Sequence, residues 1–171
     1  MLKLMLLRHA KSSWSDPAMT DHARPLNDRG RQAAPLMGRH MARLGLVPDR
    51  ILCSTALRAR ETLAGILPAF SAAMSIAITD DLYDASSTRI AETVRQSGGD
   101  AGTLLVIGHN PGMQETAAGL VESGDSALMG QMIGHYPTAA LAVIDFDLPR
   151  WADLTAASGH LAAFMRPKDL G

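Results

Sequence analysis

The sequence predicts an α/β fold, with a mostly parallel central sheet and helices on both of its faces in a three-layer α/β/α arrangement. Three observations carry this. Short apolar runs alternate along the chain with stretches of helical periodicity. The first run, Leu2 to Leu7, is rich in Leu and interrupted only by Lys3, as expected of a strand covered on both faces in a parallel sheet. Three of the runs stop at loops that bear Arg or His, and α/β proteins bind ligands at the carboxyl ends of their strands.

Taken in order, strands are expected at Leu2 to Leu7, Arg50 to Cys53, Thr103 to Ile107, Ala139 to Phe146 and Leu161 to Met165. Between the first two, Ala33, Leu36, Met37, Met41 and Leu44 fall on one face of a helix that Gly45 closes. A proline inside a helix costs about 3 kcal/mol, so Pro35 predicts that this helix starts near Ala34 or kinks there. A second helix is expected over Ala59 to Leu67, ended by Pro68, and a third over Thr88 to Gln96, ended by Gly98 and Gly99. In Asn110-Pro111-Gly112 a good capping residue precedes proline, which predicts a fourth helix whose first N–H groups face outward. Glu122 to Gln131 reads as loop with partial helix.

A chain of 171 residues with 47% hydrophobic content suffices for one compact domain, residues 1–171, and is too short for two full-sized ones. A net charge of −1 offers neither a broad basic field for nucleic acid nor a polybasic membrane anchor. No apolar stretch approaches the roughly 20 residues that span a bilayer, and Lys3 and Arg8 break the only segment resembling a secretion signal. One cysteine, Cys53, allows no internal disulfide and suits a reducing compartment. The cytoplasm is the expected location.

If the first three strands are parallel neighbours, their following loops open on one edge. Arg8 and His9, the stretch Ser54 to Arg60, and the loop Gly108-His109-Asn110-Pro111-Gly112 then converge. Two guanidinium groups, two imidazoles and a helix N-terminus form a site for a phosphoryl group, whose oxygens accept paired, charge-assisted hydrogen bonds.

In this order, Leu7-Arg8-His9-Ala10, Ser54-Thr55-Ala56-Leu57-Arg58-Ala59-Arg60-Glu61-Thr62 and Gly108 to Gly112 resemble the motifs of the histidine phosphatase superfamily, with its phosphoglycerate mutase-like fold. The small size and the segment Arg24-Pro25-Leu26-Asn27-Asp28-Arg29-Gly30 are most similar to the SixA-like branch, the phosphohistidine phosphatases. The resemblance implies that His9 is the nucleophile that carries the phosphoryl group. It implies that Arg8 and Arg58 bind phosphate oxygens, that His109 adds a donor, and that Arg24 and Asn110 contact substrate. No metal or other cofactor is expected, and the partner is a phosphorylated protein or a small phosphorylated molecule. Most relatives have Gly after the nucleophile, where this chain has Ala10, whose small methyl is expected to be tolerated, the alternative being a narrower approach to phosphate. The acid that protonates the leaving group is usually a Glu between the second and third motifs. Here that stretch offers Asp81 and Asp84 as candidate donors.

Blander and rival readings stand beside these. His22 reads as a solvated loop histidine, Arg60 and Glu61 as a solvated helix face, and Trp14 as either a shield for the site or loop packing. A cysteine-based phosphatase requires five residues between Cys and Arg; four separate Cys53 from Arg58, so Cys53 reads as a small buried hydrophobe. A metal hydrolase would use His9 and His109 as ligands, but neither shows a paired ligand spacing, and Arg8 and Arg58 would repel a cation. A phosphoglycerate mutase-type enzyme would need a capping subdomain, for which the stretch between the Arg58 and His109 motifs leaves little room. A non-catalytic phosphate-binding module would have no need of His9 beside both arginines.

Overall fold

In a computed structural model, which describes residues 1–170, seven strands form one sheet. They are β1 (Leu2–Arg8), β2 (Arg50–Ser54), β3 (Ser75–Thr79), β4 (Thr103–Gly108), β5 (Val121–Gly124), β6 (Leu141–Phe146) and β7 (Gly159–Met165), in the order β3-β2-β4-β1-β6-β7-β5. β3, β2, β4 and β1 run parallel, β6 is antiparallel to both neighbours, and β5 is parallel to β7. The three strands that carry the motifs are therefore adjacent, with β4 between β1 and β2, and all three release their loops on one edge. Leu4 to Leu7, Ile51 to Cys53 and Leu104 to Ile107 are fully buried, because helices cover both faces.

The helices are α1 (Asp28–Arg43), α2 (Leu57–Ile66), α3 (Ser87–Ser97), α4 (Gly112–Leu120) and α5 (Ser126–Gly134). α1 and α2 pack on one face, where Met37, Met41, Leu63 and Ile66 meet Met5, Leu7, Ile51 and Ile107. On the other face Ile90, Val94, Met113, Leu120 and Met132 meet Leu4, Leu6, Leu104 and Val106. The three-layer α/β/α architecture is the one expected. Among the described residues no helix is long and apolar enough to cross a membrane.

Four local expectations change. α1 does not start near Ala34: it begins at Asp28, capped by Asn27, whose side chain accepts the Gly30 N–H at 2.9 Å, and it runs through Pro35. That start is fixed by close packing, since a Cβ on Gly30 would fall 2.2 Å from the Lys11 carbonyl oxygen. β3 is a strand that the hydrophobic pattern does not predict, and Glu122 to Gln131 resolves into the end of β5 and the start of α5. The first turn of α4 does not present a row of free N–H groups. Met113 donates to the His109 carbonyl at 2.9 Å, Gln114 to the Asn110 side chain at 3.2 Å, and Glu115 to the Pro111 carbonyl at 3.0 Å.

Tyr136 ties the sheet to its edge. Its buried hydroxyl donates to the Leu6 carbonyl at 2.5 Å and accepts the Ala142 N–H at 3.1 Å, holding β1 and β6 together just below the loops. Its own carbonyl accepts Arg8 Nη1 and Asn110 Nδ2, each at 3.0 Å.

Candidate active site

His9 and His109 stand at the ends of β1 and β4 with ring centroids 5.1 Å apart, and Arg58, in the first turn of α2, lies across both. All three are buried. The hydrogen bonds fix both tautomers. A carbonyl can only accept, so His9 Nδ1, 2.7 Å from the Ala10 oxygen, carries its proton. A guanidinium can only donate, so His9 Nε2, which faces Arg58 Nε at 3.4 Å, holds a lone pair. By the same rule His109 Nδ1 accepts from Arg58 Nη2 at 3.2 Å, and Nε2 bears the proton, directed at Ser54 Oγ at 2.7 Å.

Both rings are neutral. Burial is the main cause and pushes each imidazole down to about 3; for His9 the Ala10 carbonyl opposes the shift, while His109, Arg58 and Arg8 add to it, and for His109 Arg58 is the next contributor. The arginines reinforce a shift that desolvation dominates. Arg8 reaches the same place from the end of β1, with its own pKa lowered by burial and by Arg58. Among the described residues its Nε is the buried side-chain nitrogen or oxygen left without a hydrogen-bond partner. A donor in that state costs stability unless a ligand supplies the acceptor.

The lining after β1 is held from α2. Ala10 N–H donates to Thr62 Oγ1 at 2.9 Å, and that hydroxyl donates to the Arg58 carbonyl at 2.7 Å. The Ala10 methyl packs into the core under α1 and α2 with Leu26 and Leu63, so the departure from Gly does not narrow the mouth. Glu61 is not a solvated residue: its carboxylate accepts the Leu26 N–H at 3.1 Å. Arg60 is exposed as expected. Cys53 is fully buried and its thiol is pushed up to about 12 by burial, which leaves it protonated and inert.

A residue that the sequence reading passed over dominates the rim. Asp21 accepts the Tyr83 hydroxyl at 2.5 Å and Arg58 Nη2 at 3.2 Å on one oxygen, and Arg24 Nε and Nη2 at 3.2 and 3.1 Å on the other. Its carbonyl accepts Arg58 Nη1 at 2.8 Å. The Tyr83 bond, followed by the two guanidinium groups, holds its carboxyl down at about 2 against partial burial, so it is an anion lying on the fork expected to receive phosphate. The one sequence signal was its placement three residues before Arg24, an ion-pair spacing.

The remaining candidates divide. Arg24 is committed to Asp21, to Ser12 Oγ at 2.7 Å and to the Ser13 carbonyl at 3.2 Å, and its guanidinium stacks 3.5 Å from the ring of Trp14. It shapes the loop from behind, with the largely exposed Trp14 ring laid against it. Asn110 uses both ends of its amide on Gln114 and Tyr136, and so fixes the loop before α4. Asp84 is brought to the mouth, 3.8 Å from both Arg58 Nη2 and His109 Nδ1. Asp81 is not: it pairs with Arg89 of α3. His22 is not simply solvated, because it bonds Thr55 Oγ1 at 2.9 Å and meets Tyr83 edge-on at 4.8 Å.

The model of the histidine phosphatase superfamily (branch 1) matches residues 4–86, which contain His9 and Arg58. A solved structure from Nakamurella multipartita, assigned as phosphohistidine phosphatase SixA, is 32% identical with a TM-score of 0.81, over 97% of this chain and 96% of that one. The chain belongs to the histidine phosphatase superfamily. Within it, the chain falls in the SixA-like branch. A protein of Agrobacterium tumefaciens with the same assignment matches at 29% identity and TM-score 0.80, over 97% of this chain and 98% of that one. An uncharacterized protein of Mycobacterium tuberculosis is 36% identical over 167 residues, 95% of this chain and all of that one.

Proposed function

We propose that this histidine phosphatase removes a phosphoryl group through a covalent intermediate on His9, with phosphohistidine on a protein as its substrate and the cytoplasm as its compartment. The observation that carries this is His9 itself: Nδ1–H is held by the Ala10 carbonyl, so the free lone pair on Nε2 faces the Arg58 guanidinium at 3.4 Å. A neutral imidazole oriented in this way is a ready nucleophile.

In the first step the Nε2 lone pair forms the N–P bond while the bond from phosphorus to the leaving group breaks, its electrons going to that group. The positive charge left on the ring is stabilised at Nδ1–H by the Ala10 carbonyl. Arg8 and Arg58 take the phosphoryl oxygens, where charge is spread in the transition state. His109 becomes a donor to them if its proton moves to Nδ1, and Ser54 permits this because its hydroxyl can either accept from Nε2 or donate to it. Water then attacks phosphorus, and the N–P electrons return to Nε2. No step calls on a metal.

The leaving group discriminates substrates. An alkoxide must be protonated as it departs, whereas an imidazole leaves as a much weaker base. A specific observation favours the second reading, a small-molecule phosphomonoesterase: Asp84 puts a carboxyl at the mouth, 3.8 Å from His109. Measuring kcat/KM for a phosphohistidine protein, an aryl phosphate and an alkyl phosphate decides between them. Preference for the phosphohistidine protein is expected; preference for the alkyl ester, abolished in Asp84→Asn, would establish the esterase.

A further inference from the structure

On the same edge of the sheet, but on the α1 side of β1, lies a cavity of about 440 Å³ that contains none of the residues discussed so far as catalytic. It is a half-open hollow bordered by the segment after His9, the first turns of α1, the loop ahead of β6 and the turn after β7. Lys11, Arg29, Arg166 and Lys168 line it, and no Asp or Glu does among the described residues. Asp169 neutralises Arg166 through two hydrogen bonds of 2.9 and 3.1 Å. Lys11, Arg29 and Lys168 have no ion-pair partner among the described residues.

Three exposed cations without a carboxylate partner around one hollow give it a positive local potential in a chain whose net charge is −1. Between the cations Ala33, Leu36 and Pro137 give apolar wall, and Gln32, His135 and Thr138 add polar groups. The volume lies in the range of small-molecule sites, roughly 300–1,000 Å³, and concavity of this kind encloses a compact ligand instead of a flat protein face.

We propose that this cavity binds a phosphate-bearing small molecule with an apolar body, of the nucleoside diphosphate class, at a site separate from the catalytic mouth. A diphosphate carries close to the charge that the three cations offer, and the base stacks on the apolar wall. The two sites adjoin through covalent structure: Lys11 follows His9 by two residues, and Pro137 and Thr138 follow Tyr136, whose carbonyl holds Arg8.

The test is calorimetric titration with ADP of the full chain and of its Arg58→Ala variant, whose catalytic mouth lacks the guanidinium fork. One equivalent of ADP is expected to bind, with an affinity that falls as salt rises. Arg29→Gln with Lys168→Gln should weaken it by about tenfold. Both side chains are exposed, so the double variant should keep its melting temperature and its affinity for tungstate. The proposal is overturned if ADP gives no heat with the full chain, if Arg58→Ala abolishes its binding, or if the double variant binds it unchanged. Inorganic pyrophosphate binding as tightly as ADP would remove the apolar body from the ligand class and overturn that part.

Discussion

The floor and the rim of the catalytic mouth are built by different rules. On the floor, Ser54 ends β2, His9 and His109 directly follow β1 and β4, and Arg58 opens α2; all are buried and bonded to one another or to the backbone, and Arg58 also reaches the Asp21 carboxylate of the rim. On the rim, Asp21, Tyr83 and Asp84 sit on short turns, with the Asp21 and Asp84 side chains 44% and 56% exposed. Asp21 and Tyr83 are joined by a side-chain hydrogen bond, and Asp84 lies 3.8 Å from Arg58 and His109 without one. The sheet thus fixes the nucleophile's geometry and protonation, while loops set the charge around it, and that charge is exchangeable. In the resting site Asp21 occupies an N–H pair of Arg58 that an incoming phosphate would take.

The largest effect that distinguishes the two regions is at Arg58. Arg58→Ala should lower kcat/KM by about two to three orders of magnitude, since it removes oriented charge from the transition state and both imidazoles lose a donor. Arg58→Lys should not restore it, because an ammonium cannot span His9, His109 and phosphate together. A loss under tenfold in steady-state assays would break the assignment of the floor. Next in size is Asp84→Asn, which should reduce turnover of an alkyl phosphate about ten- to hundredfold and leave a phosphohistidine protein nearly unaffected. Equal losses on both would place Asp84 with the floor.

Asp21→Asn should act in the opposite direction on binding. A neutral amide competes poorly for Arg58, so inhibition by tungstate should tighten by roughly three- to tenfold, a modest change because the carboxylate is partly solvated. Weaker inhibition would show that Asp21 serves chiefly to hold Arg58 in place. The smallest signature is in pH. With His9 down at about 3, an ordinary imidazole limb near 6.5 should be missing from kcat/KM once substrate ionisation is accounted for. Stability behaves in step. Between about 6.5 and 3 the unfolded chain binds protons that folded His9 and His109 refuse, so stability is full above 6.5 and declines as pH falls through that window. Thermal melts of His9→Gln should show a shallower decline.

How legible these regions are in sequence follows from the same contrast. Leu2 to Leu7, Ile51 to Cys53 and Thr103 to Ile107 are continuous apolar runs because both faces are covered, and each is followed directly by a floor residue or its motif. β3 escaped because it is an edge strand whose Ile76 and Ile78 remain 42% and 50% exposed, so its alternation does not mark a core. β5 is four residues long and pairs only with β7. The rim left weaker traces. Asp21 lies 62 residues from Tyr83 and 37 from Arg58, and no local spacing announces a contact made by the fold. Asp81 and Asp84 were equivalent in sequence; the left-handed backbone at Asp84, with φ of 44°, turns one to the mouth while Arg89 draws the other away. Tyr136, which fixes Arg8 from behind, resembles any core aromatic until its hydroxyl and carbonyl partners are seen.

The central claim is that the floor forms a phosphoenzyme on His9, and trapping it with labelled substrate tests that most directly. Acid quench destroys a phosphoramidate and alkaline quench preserves it, so label should remain on the protein in base, disappear in acid, and map to His9 by peptide mass spectrometry. His9→Ala should show none. Label that survives acid, or that persists at another residue in His9→Ala, would contradict the account.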